Sequence, residues 1–162
     1  MIVGILSDSH GRLDAIAAAL AAFKNRDVEL VIHCGDIDTV AAVTSFRDWN
    51  THFVLGNCDC DQSGLRMAIG EIGAQLHEPF GHLSLDSVEI AWLHGHESKL
   101  MRDLENAGTF DYLFYGHTHV VEQHRAGKTL VVNPGALHRA KVKTCAVLDT
   151  KSRDLQAVVI EA

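Results

Sequence analysis

Seven side chains able to bind hard or borderline metal ions fall in five short clusters: Asp8 with His10, Asp36, Asn57, His94, and His117 with His119. Each cluster begins where a hydrophobic run stops. Met1-Ile2-Val3-Gly4-Ile5-Leu6 and Leu30-Val31-Ile32 read as buried strands, and ligands of open α/β sheets gather at strand ends. The pattern points to one shared polar site. Asp8-Ser9-His10 sets a carboxylate and an imidazole two positions apart, where an extended backbone would send them to opposite faces and only a turn lets both converge on one ion. Gly35-Asp36 and Gly56-Asn57 also read as ordinary turns. The imidazole clusters His94-Gly95-His96 and Gly116-His117-Thr118-His119 shift the balance, because unpaired buried imidazoles are costly material for a core. Eleven histidines in 162 residues exceed what a core or a surface requires, and imidazole is the commonest metal ligand.

The elements that must position these groups begin as β-α-β-α-β. After the first strand, Leu13, Ile16, Ala17, Leu20 and Phe23 recur at helical spacing, which predicts an amphipathic helix from Arg12 to about Asn25. A strand follows at Leu30 to Cys34. Asp38 is suited to cap a helix running through Trp49, His52 to Leu55 alternates as a short strand, and Gly56 starts a loop. Parallel strands joined by right-handed helical crossovers would bring Asp8, Asp36 and Asn57 to the same edge of one sheet. The second half is richer in strands. Leu83 to Leu85 and Val88 to Leu93 flank Asp86-Ser87 as a hairpin, and Ser98 to Ala107 reads as a helix. Short β runs follow at Tyr112 to Tyr115, Val120 to Arg125, Lys128 to Val132, Lys143 to Leu148 and Leu155 to Ile160, with turns at Ala126-Gly127 and Ser152-Arg153. So many strands, with helices concentrated early, predict an α/β fold of two mixed β-sheets packed face to face with flanking helices.

Composition narrows the classes. The hydrophobic content of 47% with only 2 prolines suits a single compact domain over residues 1–162. No apolar stretch reaches the roughly 20 residues of a membrane span, and the N-terminus lacks signal-peptide features, so a cytoplasmic setting is expected. Cys34, Cys58, Cys60 and Cys145 form no secreted disulfide framework. A formal net charge of −7 offers no broad surface for nucleic-acid phosphates.

In order, Asp-x-His, Gly-Asp, Gly-Asn, His-Gly-His and Gly-His-Thr-His closely resemble the motifs of the calcineurin-like metallophosphoesterases. The short chain resembles their small bacterial and archaeal phosphodiesterase branch, and the resemblance covers nearly the whole sequence. It implies a metallo-dependent phosphatase-like four-layer sandwich. It also implies that Asp8, His10 and His119 hold one metal, that Asn57, His94 and His117 hold another, and that Asp36 bridges both. The donor chemistry agrees: a carboxylate can bind two cations, neutral imidazoles add no charge, and the Asn carbonyl supplies a neutral oxygen. Manganese is the first expectation for the two divalent ions, with iron, zinc or nickel as alternatives. Metals about 3.5 to 4 Å apart would let a bridging hydroxide attack the phosphorus of a small phosphoester in line with the leaving oxygen.

One departure stands out. Many relatives carry Gly-Asn-His, whose imidazole is proposed to protonate the leaving group, whereas this chain has Gly56-Asn57-Cys58-Asp59. A thiol with a reference pKa of about 8.5 is a less suitable acid, and packing is the first reading of Cys58. His96 is the better hypothetical proton donor or substrate contact, with a supporting role behind the ligands as an equal reading. Asp59 either orients a ligand or caps the following loop. Asn133-Pro134-Gly135 resembles a loop beside the site in these relatives and also reads as a turn. His33 is expected to be a hydrogen-bonded near-core residue, and His52, His77, His82, His124 and His138 to face solvent or bond locally. Lys99 and Arg102 could approach a substrate or simply occupy an exposed helix face. The leading expectation is a dinuclear phosphodiesterase with Asp36, Asn57 and His96 in catalytic roles. Phosphomonoesterase activity, a retromer-subunit-like scaffold with a non-catalytic metal site, and a mononuclear hydrolase using Asp8, His10 and His119 are the alternatives. Apolar strand edges leave room for a homo-oligomer.

Overall fold

The computed structural model describes residues 1–161; Ala162 of the expected domain lies outside the described residues. In chain order the elements are β1 (Ile2–Leu6), α1 (Leu13–Lys24), β2 (Leu30–His33), α2 (Val40–Thr44), β3 (Thr51–Phe53), α3 (Gln62–Glu71), β4 (Gln75–Leu76), β5 (Gly81–Leu85), β6 (Val88–Trp92), α4 (Ser98–Asn106), β7 (Tyr112–Phe114), β8 (Glu122–Ala126), β9 (Thr129–Asn133), β10 (Thr144–Asp149) and β11 (Asp154–Val159). One sheet runs β11-β10-β1-β2-β3-β4 and the other β5-β6-β7-β9-β8. Both are mixed: β1, β2, β3 and β4 pair in parallel, as do β6, β7 and β9, while β10, β11, β5 and β8 pair antiparallel.

Period-two alternation sorts the core into layers. Val3, Ile5, Leu30, Ile32, Ala146 and Leu148 of the first sheet pack against Val88, Ile90, Trp92, Phe114 and Val132 of the second. Leu6, Val31 and Phe53 turn the other way, onto Ile16, Phe23, Val43, Leu65 and Ile69 of α1, α2 and α3. On the far side, Ala91, Leu93, Leu113 and Val131 meet Leu104 of α4. The result is the expected four-layer sandwich of helices, sheet, sheet and helix.

Several local expectations change. The buried stripe of α1 is Ala15, Ile16, Ala19, Leu20 and Phe23, while Leu13 and Ala17 are exposed. Small alanines face the sheet there because α1 lies close enough for the Phe23 ring to sit over Gly4, where an added Cβ would come within 2.8 Å. Asp38 caps no helix: it holds φ 70°, and Thr39 is the cap, its Oγ1 accepting from the Ala42 N–H at 3.2 Å. The helix then covers only Val40–Thr44 and gives way to turns rather than continuing to Trp49. A helix stands where a loop was expected after Gly56, capped by Asp61, whose carboxylate accepts from the Gly64 N–H at 3.0 Å. The β8–β9 turn falls at Gly127-Lys128, one residue later than predicted, whereas Asp86 and Ser87 form the expected hairpin turn with φ 50° and 63°.

At the end of β2, His33 is fully buried. Its Nδ1 accepts from the Gly35 N–H at 3.2 Å, so Nε2 carries the proton and donates to Ser9 Oγ at 2.9 Å. Burial pulls its pKa from 6.5 down to about 3. The unfolded chain therefore binds a proton there before the folded one does, and this stabilising contribution, whole above 6.5, shrinks as pH falls toward about 3. The loss amounts to about 1.4 kcal/mol per pH unit. Denaturant titrations of metal-free protein should show midpoints dropping across that window, and less steeply for His33→Gln; parallel profiles for the two proteins would refute the assignment.

Candidate metal centre

The carboxyl ends of the parallel strands in both sheets converge on one seam. β1 leads into Asp8, β2 into Asp36, β3 into Asn57, β6 into His94, and β7 into His117 and His119. The chain must turn sharply to aim these groups inward. Asp8, His10, Asp36, His117 and His119 all hold positive φ, between 44° and 69°, a conformation that non-glycine residues keep only when their surroundings compensate the strain. Two glycines permit the close approach of the loops. A Cβ on Gly56 would fall 2.1 Å from Asp36 Oδ1, and one on Gly116 would fall 1.9 Å from Ser7 Oγ and 2.6 Å from Asp8 Oδ2. The second contact stitches the sheets together, since the N–H of His117 donates to both Asp8 oxygens at 3.2 and 3.1 Å.

Asp8, Asp36 and His94 form the buried floor, with exposures of 0%, 2% and 2%; Asn57 and His117 are exposed at the rim. On one side, His119 Nε2 lies 3.2 Å from Asp8 Oδ1 and 3.4 Å from His10 Nε2. His10 Nε2 is also 3.6 Å from Asp36 Oδ2. On the other side, His94 Nε2 lies 3.4 Å from Asp36 Oδ1 and 3.1 Å from Asn57 Oδ1. The two oxygens of Asp36 thus face different imidazoles. Ligating atoms of Asp8, His10 and His119, of Asp8, Asp36 and His94, and of His10, Asp36 and Cys58 each fall within 4.8 Å of one another. His117 stands a little apart: its ring is edge-on to His94 at 5.2 Å between centroids and 6.3 Å from His96.

Tautomers sharpen the picture. His10 Nδ1 donates to Asp38 Oδ2 at 3.0 Å, and His94 Nδ1 donates to the Cys34 carbonyl at 2.9 Å. With those protons fixed, a neutral ring points its Nε2 lone pair into the cluster. The Nε2 of neutral His94 then faces two oxygens that are also lone-pair acceptors, an arrangement that requires a positive charge among them. In the free protein a proton on His94 meets that need. Burial pulls the pKa of His94 down, but the hydrogen bond it donates to Asp36 and the charges of Asp36 and Asp8 outweigh it, leaving it raised above 6.5. Burial likewise pushes Asp36 up, and the bond and charge of His94 with the Cys58 N–H overcome it, holding the carboxyl well below its usual range. For Asp8 burial wins and its pKa is raised. Two carboxylates, an amide oxygen and inward imidazoles fit a divalent cation of borderline hardness.

Around this core, Asp38 and Asn133 have site roles that the sequence reading did not assign. Asp38, expected to cap a helix, orients His10. Asn133 donates to the Gly116 carbonyl at 2.9 Å and to Thr118 Oγ1 at 3.0 Å, bracing the loop that carries His117 and His119. The signal for Asp38 was its place in a polar stretch two residues after Asp36, before any helical periodicity begins. Cys58, read as packing, has its Sγ near His10 and Asp36, and its N–H donates to Asp36 Oδ1 at 2.9 Å. Burial and the neighbouring Asp36 push the thiol up to about 11, so it is protonated at neutral pH and a poor acid. His96 sits exposed beside His94, 5.4 Å between ring centroids, on a groove of about 270 Å³ shared with Asn57, Gln62, His77 and Glu78. Burial and the charge of His94 lower its pKa. Of the other histidines, His52 bonds to His77 at 2.9 Å, His82 to Glu89 at 2.6 Å and His124 lies 3.3 Å from Glu105, while His138 sets its ring edge-on to His10 at 5.5 Å between centroids. Lys99 pairs with Asp103 at 2.7 Å on the outer face of α4.

Residues 1–153 match the sequence model of the calcineurin-like phosphoesterase superfamily domain. A Methanocaldococcus jannaschii protein named a phosphodiesterase is 29% identical over 166 residues, spanning 99% of this chain and 100% of the relative. A Bacillus subtilis protein named a probable metallophosphoesterase is 28% identical over 150 residues, spanning 88% and 79%. Among solved structures, an archaeal phosphodiesterase superposes with a TM-score of 0.90 at 28% identity, over 99% of this chain and 100% of that one. Vps29 of Entamoeba histolytica, solved with zinc, has the same fold, with a TM-score of 0.70 at 18% identity over 99% and 100%.

A cation entering this cluster must displace the proton on His94, so raising the pH favours the metal. Manganese affinity should weaken as pH falls from above the 6.5 reference of His94, by about tenfold per unit for one displaced proton. Calorimetry in buffers of different ionisation enthalpy should report proton release on binding. Affinity that ignores pH, with no buffer dependence, would contradict the charge balance.

Proposed function

Since the chain belongs to the calcineurin-like phosphoesterase superfamily and is accordingly a metal-dependent phosphoric ester hydrolase, we propose that it favours phosphodiesters and works with two divalent cations. The observation that carries the two-ion reading is the division of Asp36, whose Oδ2 faces His10 and whose Oδ1 faces His94. Asp8, His10 and His119 would hold one ion, Asn57, His94 and His117 the other, and Asp36 both. Manganese comes first, with iron, zinc or nickel as alternatives, because a nitrogen and oxygen donor set suits all four. When bound, the cations supply water activation at neutral pH and charge neutralisation for phosphoryl oxygens.

The protein's own part is orientation and proton handling. Asp38 and the Cys34 carbonyl hold His10 and His94 in the tautomer that presents Nε2. The bound metal would supply hydroxide for in-line attack on phosphorus, and His96, at the groove beside Asn57, would contact the substrate or give the leaving oxygen a proton. Burial and the charge of His94 lower the pKa of His96, and an anionic phosphate beside the ring would act in the opposite direction. Cys58 takes no part as acid. The full donor set argues against a scaffold without catalysis. The proposal includes a cytoplasmic setting, in keeping with four free cysteines, and self-association through the open sheet edges at β8 and β11.

Protein purified without chelator and supplied with manganese should hydrolyse a bis-aryl phosphate faster than the mono-aryl ester. Asp36→Asn should lower kcat roughly 100-fold or more, about 2.7 kcal/mol of barrier; unchanged turnover would rule out the mechanism, and the reverse substrate preference would make it a monoesterase. If His96 is the proton donor, His96→Gln should slow diesters with alkyl leaving groups far more than those with nitrophenyl ones. Equal slowing of both would leave it a substrate contact.

A further inference from the structure

We propose that Asp59 is the positioning residue that sets the spacing of the two metal positions, by binding as an internal anion in the backbone of the loop that carries Asp36. The inference rests on the dinuclear reading above. Asp59 is 2% exposed, and its carboxylate accepts four backbone N–H bonds. Oδ2 takes those of Asp36 at 3.0 Å and Gly56 at 2.7 Å; Oδ1 takes those of Ile37 and Asp38, both at 2.7 Å.

Each bond bears on a ligand. Oδ2 joins the Asp36 loop to the loop that begins at Gly56 and carries Asn57, so a single atom fixes the distance between two strand-end segments. Oδ1 holds Asp38, whose own carboxylate orients His10 at 3.0 Å. Asp36, Asn57 and His10 thus depend on one carboxylate that, among the described residues, no cluster of ligating atoms includes. The backbone explains why an anion is needed. Asp36 and Asp38 hold φ 56° and 70° on either side of Ile37, and the N–H groups of all three converge on one carboxylate, a concavity of the kind that binds anions. Asp59 fills it from within the chain. It does not cap the next helix; Asp61 does that.

Asp59→Asn keeps the size but sets an amide N–H₂ against two N–H donors, while Asp61→Ala, which removes the α3 cap, controls for a general loss of stability. Manganese titration followed by electron paramagnetic resonance should show an exchange-coupled pair in the wild type and in Asp61→Ala. In Asp59→Asn the coupled spectrum should give way to that of isolated Mn(II), with affinity for the second ion reduced roughly 10- to 100-fold. The change in turnover should lie in kcat rather than KM. If Asp59→Asn does not fold, Asp59→Ser, which removes the carboxylate without the opposed amide, carries the same expectation. A coupled pair that survives loss of the carboxylate overturns the inference and leaves the dinuclear reading standing. A wild type that never shows coupling overturns both.

Discussion

The structure turns on a buried electrostatic imbalance. Asp8 and Asp36 sit at the floor of a seam between two sheets, almost without solvent, and the neutral groups around Asp36 present lone pairs: Nε2 of His10 and His94, and Oδ1 of Asn57. Desolvating carboxylates is expensive unless positive charge comes with them. Imidazolium at His94 answers this in the free protein, and a metal held among these donors would answer it in its place. A site that is unsatisfied without positive charge is a site organised around receiving it.

Everything else positions that imbalance. Parallel strands of both sheets end at the same seam, so residues as distant as Asp8 and His119 come within 3.2 Å without any long excursion of the chain. Tight loops with left-handed residues turn the side chains inward, and the two hydrophobic layers on either side of each sheet give the rigidity that the strained loops need. The outer helices act indirectly. α1 lies so close that Phe23 covers Gly4, which pins β1 and hence the start of the Asp8 loop.

Much of this was legible in the chain. The apolar runs Met1–Leu6 and Leu30-Val31-Ile32 read as buried strands, so their ends mark where the loops carrying Asp8 and Asp36 begin, and the hairpin at Asp86-Ser87 follows from turn chemistry alone. What was hidden depends on tertiary contact. The helix over Gln62–Glu71 contains Gly64 and Gly70 and buries only Leu65, Ala68 and Ile69, too sparse a stripe to stand out. The buried face of α1 was misread because leucine outweighs alanine in any hydrophobicity count, whereas close packing on a sheet selects the small side chain. Asp38 looked like a cap, and Asp59 like either a cap or a group that orients a ligand, because the same short carboxylate that caps a helix can also hold a histidine or a strained loop, and only the fold says which.

The central claim is that Asp36 gives one oxygen to each of two ions. Anomalous diffraction from crystals grown with manganese tests it most directly. The account predicts two peaks about 3.5 to 4 Å apart, one bonded to Asp36 Oδ2 with Asp8, His10 and His119, the other to Asp36 Oδ1 with Asn57, His94 and His117. A single peak at saturating manganese, or two peaks with Asp36 bound to neither, would contradict it.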